Sequence, residues 1–242
     1  MDLSIIVQKL SINLEFLLNK PKIFIPILVL SSLILRFFYL PFELPVASDA
    51  FVYFSYATDI AALGGFPNYL ISNDGWAIFL SFFFMILPSG EFMDYMVTQR
   101  ILSVTLSSIT IVPVYLLCRK FFGIQYSLIG ATIFAFEPRL IMNSLIGITE
   151  PLYILLGTSA VALFFQIEKK YNYLSFFLLG LCSIVRIEGI FLFFAISLML
   201  FIKNKLKLET IKVYLVGISI FLSTLGLMIL IRINVSGRDY SS

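Results

Sequence analysis

Long apolar runs, separated by short polar punctuation, dominate this chain. Residues 23–40 form the first run, long enough to cross a hydrocarbon layer of ~30 Å. Lys20 and Lys22 hold its start, and Arg36, near its far end, is expected to snorkel outward. The stretch 41–92 behaves differently. Pro41 and Pro45 break the chain, and Ser48-Asp49 then looks like a helix start with Ser48 as its cap. Val52, Tyr56, Ile60 and Leu63 fall on one stripe at helical spacing, so 49–63 reads as an amphipathic helix lying on a membrane surface. Gly64-Gly65-Phe66-Pro67 ends it. Residues 76–87 are apolar but too short to span, and they read as a second interfacial helix with Trp76 anchoring its edge. Further runs follow at about 95–118, with a kink at Pro113, and at 124–137, 150–167, 171–186, 188–202 and 213–231. Residues 139–149 are left as an external loop. The fold expected is all-α: a polytopic transmembrane bundle of about seven spans, one domain over 1–242, with two interfacial helices in its first external loop.

Charge gives the bundle a direction. All ten lysines (Lys9, Lys20, Lys22, Lys120, Lys169, Lys170, Lys203, Lys205, Lys207 and Lys212) fall on one side of the spans. By the positive-inside rule that side is the cytoplasm. Ten of the fourteen carboxylates fall on the other side: Glu43, Asp49, Asp59, Asp74, Glu91, Asp94, Glu137, Glu150, Glu188 and Asp239. The same sorting divides 171–202 into two spans joined by a tight external turn at Arg186-Ile187-Glu188-Gly189. One span there would place Lys203, Lys205, Lys207 and Lys212 outside. The expected product is an integral protein of the cell membrane, with a cytoplasmic N-terminus and its chemistry on the external face.

Composition narrows the chemistry. The chain has 60% hydrophobic and 13% charged residues. It has no histidine, which removes His triads, His-ligated metals and His proton relays together. Cys118 and Cys182 sit near opposite ends of their spans and read as small core residues. Residues 1–22 are too long and mixed for a signal n-region, so the first span is expected to be retained. The net charge of +3 is spent on orientation and says little about partners, and no nucleic-acid partner is expected.

Acids and arginines at a membrane edge are costly and read as functional. Asp49, at a helix start that favours negative charge, stays ionised and available as a base, or else it only stabilises that helix end. Glu150, before Pro151, either caps its span or has a task. Glu137 before Pro138 closes a span in the same way. Arg186 and Glu188 either close a helical hairpin as an ion pair or leave Arg186 to hold a phosphate in its fork, and Arg139 offers the same option.

Four stretches then carry a family resemblance: Ser48-Asp49-Ala50-Phe51-Val52-Tyr53; Asn73-Asp74-Gly75-Trp76-Ala77-Ile78-Phe79-Leu80; the run from Gln99-Arg100 through Arg119-Lys120-Phe121-Phe122-Gly123 to Thr149-Glu150-Pro151-Leu152; and Val185-Arg186-Ile187-Glu188-Gly189. Over about 30–203 they resemble the GT-C superfamily of membrane glycosyltransferases, among them protein O-mannosyltransferases and aminoarabinose transferases. The resemblance implies transfer of a sugar, a hexose such as mannose, from a polyprenyl-phosphate donor, with inversion, to a protein, lipid or glycan hydroxyl. It implies Asp49 as base, Glu150 as a second catalytic carboxylate, Arg186 and Arg139 on the donor phosphate, and Asp74, Tyr53 and Glu188 in support. Ser48 stands where many relatives carry a second acid, so a divalent metal is not favoured, and Ile187 replaces the usual proline. Relatives continue with more spans, so a shortened member is expected. A flippase or transporter of lipid-linked sugars, or a non-catalytic subunit, is the alternative. The first predicts inverted repeats and midplane charges. Incubation with polyprenyl-phosphate sugars separates enzyme from binding subunit.

Overall fold

The computed structural model describes residues 20–69, 71–87, 91–166, 168–204 and 207–236. The readings placed on residues 1–19, Lys205 and Asp239 lie outside the described residues. Among the described residues every regular element is a helix. In chain order these are α1 (Pro21–Phe38), α2 (Asp49–Leu63), α3 (Gly75–Ile86), α4 (Phe92–Ile109), α5 (Ile111–Cys118), α6 (Ile124–Phe136), α7 (Pro138–Ile146), α8 (Glu150–Phe164), α9 (Lys169–Val185), α10 (Gly189–Asn204) and α11 (Leu208–Ser236).

Local chemistry accounts for several of these limits. Pro21 and Pro138 enter their helices in the first turn, where a missing N–H costs nothing. Pro113 has no N–H for the carbonyl of Ile109, the residue that ends α4. Together α4 and α5 still form a 27-residue apolar unit, Phe92–Cys118, long enough to cross a membrane. So are Pro21–Phe38 and Leu208–Arg232, and α6 with α7 makes a fourth unit across a bend of 47°. The residues left as a loop at 139–149 are therefore mostly helix α7. Along α1, Ile23, Ile27, Leu30, Ile34 and Phe38 form an unburied apolar stripe. A helix that shows such a stripe to its surroundings needs lipid as solvent. The chain is an integral membrane protein by that criterion.

Three packed clusters divide the bundle. Helices α1, α5 and α6 meet around Leu28, Ile111 and Leu128. Helices α8 to α11 meet around Phe176, Phe193 and Phe221, the last two stacked at 3.9 Å. The third cluster seats α2 and α3 on α4 and α8 through Tyr56, Trp76, Leu80 and Leu152. Gly75 makes that seat possible. A Cβ there would lie 2.7 Å from the backbone nitrogen of Val185, so the start of α3 touches the end of α9 backbone to backbone.

Four side-chain expectations are corrected. Arg36 does not snorkel: it is fully buried and donates to the carbonyls of Ala135 (3.0 Å) and Ser32 (3.3 Å) and to the Ser32 hydroxyl. The break before α7 leaves the Ala135 carbonyl open to it. Trp76 is not an edge anchor but a core residue, donating its indole N–H to the Gly147 carbonyl at 3.0 Å. Along α2 the buried stripe is Ala50, Tyr53, Phe54, Ala57 and Ile60, with Tyr56 beside it, while Val52 and Leu63 face outward. Ser48 occupies the cap position of α2, but its side chain makes no capping bond.

Candidate active site

The turn between α9 and α10 builds the centre. Arg186 leaves α9 in extended backbone (φ −148°, ψ 132°), and Glu188 is two residues on. On one helix such a pair points apart. Here Arg186 Nη2 donates to Glu188 Oε1 at 2.9 Å. Its Nη1 donates to Glu150 Oε1 at 2.8 Å and to the Thr149 hydroxyl at 3.2 Å. The guanidinium also lies 5.9 Å from the centre of the Tyr153 ring. Glu150 is the first residue of α8, and its side chain goes to Arg186 and accepts from Thr149 rather than capping the helix. These groups stay open to the surroundings: the side chains of Arg186, Glu150 and Glu188 are 26%, 31% and 46% exposed. The Arg186 hydrogen bond holds the Glu188 carboxyl below the usual carboxylate range.

Asp49 reaches this centre through Tyr53. The two are four residues apart on α2, on one face. Asp49 is exposed and Tyr53 mostly buried. The Tyr53 hydroxyl lies near the side chain of Asn73 and in the field of Asp49, Arg186 and Glu150. Burial pushes its pKa up and the Asp49 charge adds to this, while Asn73 and Arg186 act against them. Asn73 takes a left-handed backbone (φ 58°), a conformation asparagine tolerates better than most residues. Its Oδ1 accepts the Ile187 N–H at 3.4 Å. Asn73 thus ties the segment that leads into α3 to the turn that carries Arg186. In the sequence Asn73 stands within a family-like stretch, and Asn73-Asp74-Gly75 before an apolar helix is a turn signature that marks it. Just before Asp49, Ser48 is also left-handed (φ 54°), a strained choice for serine that fixes where α2 begins.

Asp74 is placed elsewhere. It is fully buried and paired through both carboxylate oxygens with Arg232 of α11, Nε to Oδ2 at 2.9 Å. Burial raises its pKa against the pull of Arg232. Arg139, in the first turn of α7, is exposed and makes no ion pair or hydrogen bond among the described residues, so it does not join the Arg186 network. Glu137 caps α7 by accepting from the Leu140 N–H at 2.7 Å. No group of three His, Cys, Asp or Glu side chains gathers among the described residues.

Chemically, the assembly offers an exposed carboxylate as proton acceptor, a forked cation able to meet an oxyanion, and a phenol in the field of both. The model of the dolichyl-phosphate-mannose-protein mannosyltransferase family matches residues 69–229. No curated protein and no solved structure matches the chain.

Proposed function

This chain belongs to the dolichyl-phosphate-mannose-protein mannosyltransferase family, a membrane glycosyltransferase family, and from that premise we propose how its residues serve the transfer. The donor is a polyprenyl-phosphate hexose, and the acceptor is a hydroxyl at the external face. Seven spans carry the site: α1, α4 with α5, α6 with α7, α8, α9, α10 and α11, with α2 and α3 interfacial and the N-terminus in the cytoplasm of a cell-membrane protein. Asp49 takes the acceptor proton as the oxygen attacks the anomeric carbon. The bond to the donor phosphate breaks on the opposite face, which inverts the centre. Arg186 stabilises the phosphate that leaves. Because its fork already meets two carboxylates, the phosphate displaces the more exposed of them, Glu188, while Glu150 keeps Arg186 in place and orients a sugar hydroxyl. Arg139 lies outside this network and is assigned no more than an outer contact with donor.

One observation supports the reading above the rest. Glu150 and Arg186 come from separate segments and are bonded at 2.8 Å, and Asp49, from a third, lies one helical turn before the buried Tyr53. The test is transfer from a polyprenyl-phosphate sugar by the purified protein in lipid. Asp49→Asn is expected to lower turnover by roughly 10²–10⁴-fold with donor binding little changed, the usual worth of a general base. An Asp49→Asn protein that turns over at the wild-type rate rejects the assignment.

A further inference from the structure

We propose that Gln99 is the positioning residue that sets the separation of Asp49 from Glu150 and Arg186; the role rests on the catalytic reading above. Gln99 lies on α4 with no exposed surface. Its amide nitrogen donates to two carbonyls at once, Ala50 at 2.9 Å and Gly147 at 2.7 Å. Ala50 follows Asp49 directly in the first turn of α2. Gly147 ends α7, three residues before Glu150. One uncharged NH₂ group therefore bridges the backbones that carry the two carboxylates. A primary amide is suited to this, because a single nitrogen supplies two hydrogens without burying a charge.

The surroundings make the bridge stiff. The Gly147 carbonyl also receives the Trp76 indole N–H, so the start of α3 is tied to the same oxygen. Gly147 has φ +85°, and a Cβ there would sit 3.2 Å from the Gln99 Cγ. Glycine is needed for the backbone and for the close approach. Next in sequence, Arg100 donates to the carbonyls of Pro41 (2.9 Å), Pro45 (3.0 Å) and Leu44, fixing the segment that leads into α2. The Gln99 Oε1 has no partner among the described residues. Leaving a buried acceptor unpaired is costly, so this side chain is held for its donors. None of these contacts reaches the reacting groups. Gln99 acts on them only by holding two backbones apart at a set distance.

The test uses Gln99→Leu, which removes both donors, and Gln99→Asn, which keeps the amide but shortens its reach. In the transfer assay Gln99→Leu is expected to lower kcat by roughly 10–100-fold with the donor KM within about twofold, since misplacement of about 1 Å costs on that order. In an Asp49→Asn background the same substitution is expected to add little, because both changes act through one group. Independent, multiplying losses would overturn the proposal. A second readout needs no turnover. With Cys118 and Cys182 replaced, spin labels at Phe51 and Ile146, both exposed on α2 and α7, report the separation directly. A narrow distance distribution in the otherwise unchanged protein is expected to broaden or shift in Gln99→Leu, and in Gln99→Asn should the first variant not fold. An unchanged distribution overturns the role even if the protein transfers sugar. A protein that transfers nothing with Gln99 in place, yet whose label separation shifts in Gln99→Leu, sinks the catalytic reading and leaves the bridge standing.

Discussion

Asn73 and Asp74 are neighbours in sequence, yet they serve two arginines in opposite ways. Asn73 reaches the open turn where Arg186 meets Glu150 and Glu188. Asp74 is sealed against Arg232, with no exposed surface. Both places pair arginine with carboxylate. What separates them is the carboxylate's access to water: Asp74 has none, although the Arg232 side chain is 34% exposed against 26% for Arg186. A fully buried carboxylate has given up its solvation and stays charged only while its partner is present. An open pair keeps part of its solvation, binds its partners weakly and can exchange one of them for a ligand. On this argument Asp74–Arg232 holds α3 to α11, and the Arg186 cluster is the part free to do chemistry.

The sharpest way to break that contrast is Arg232→Ala. It leaves the Asp74 carboxylate buried without its partner, and a loss of about 3–5 kcal/mol is expected. For a chain of this length that is on the order of 10 °C in thermal midpoint, measured in detergent. Asp74→Asn combined with Arg232→Gln is expected to recover most of the loss, because no charge then remains buried. A drop below about 1 kcal/mol for Arg232→Ala, the range of an exposed pair, would mean that the site is not sealed in the membrane.

Arg186→Ala sharpens the other half. Its partners stay partly solvated, so the expected loss of stability is about 1 kcal/mol. Donor KM, however, is expected to rise about 10- to 100-fold, the worth of charged hydrogen bonds to a phosphate. If stability falls as far as in Arg232→Ala while KM holds, Arg186 is a structural clamp and the two regions do not differ. Glu188→Gln is smaller still. It removes the anion that competes for Nη2, and donor KM is expected to fall a few-fold. A KM that rises would instead make Glu188 part of the donor site.

Which of these features could be read in advance follows from what each depends on. The limits of α2 at Asp49 and Leu63 follow from turn residues on either side of an apolar stretch, and both signals are local. The hairpin at Arg186-Ile187-Glu188-Gly189 follows from the sorting of lysines. Faces were harder. In a membrane the side toward lipid is as apolar as the side toward protein, so periodicity alone does not separate buried Tyr56 from exposed Val52. The same ambiguity put Trp76 at an interface when it sits in a core. Arg36 was misread because its acceptor, the Ala135 carbonyl, exists only where α6 ends against α1. The Asp74–Arg232 pair joins residues 158 apart, and no local pattern announces it. Gln99 is polar on an apolar span, which marks it for a buried task but not for which two carbonyls it joins.

The smallest effect expected is in pH dependence, and its two halves have opposite sign. Arg186 holds the Glu188 pKa below its ordinary value. Glu188 therefore contributes stability that is present above the usual carboxylate range and is lost as pH falls through its lowered pKa. Burial holds the Asp74 pKa above its ordinary value in spite of Arg232. The folded form then binds the proton more readily than the unfolded chain, so this contribution is present at low pH and is lost as pH rises through the raised pKa. Thermal midpoints followed from pH 7 to pH 4 separate the two. The difference between wild type and Glu188→Gln is expected to shrink only at the acid end. The difference between wild type and Asp74→Asn is expected to move in wild type's favour earlier in the descent, since its carboxyl takes up a proton first. Parallel curves for the two variants would show both carboxylates sharing one degree of solvation, and the contrast between the open Glu188 and the sealed Asp74 would be lost.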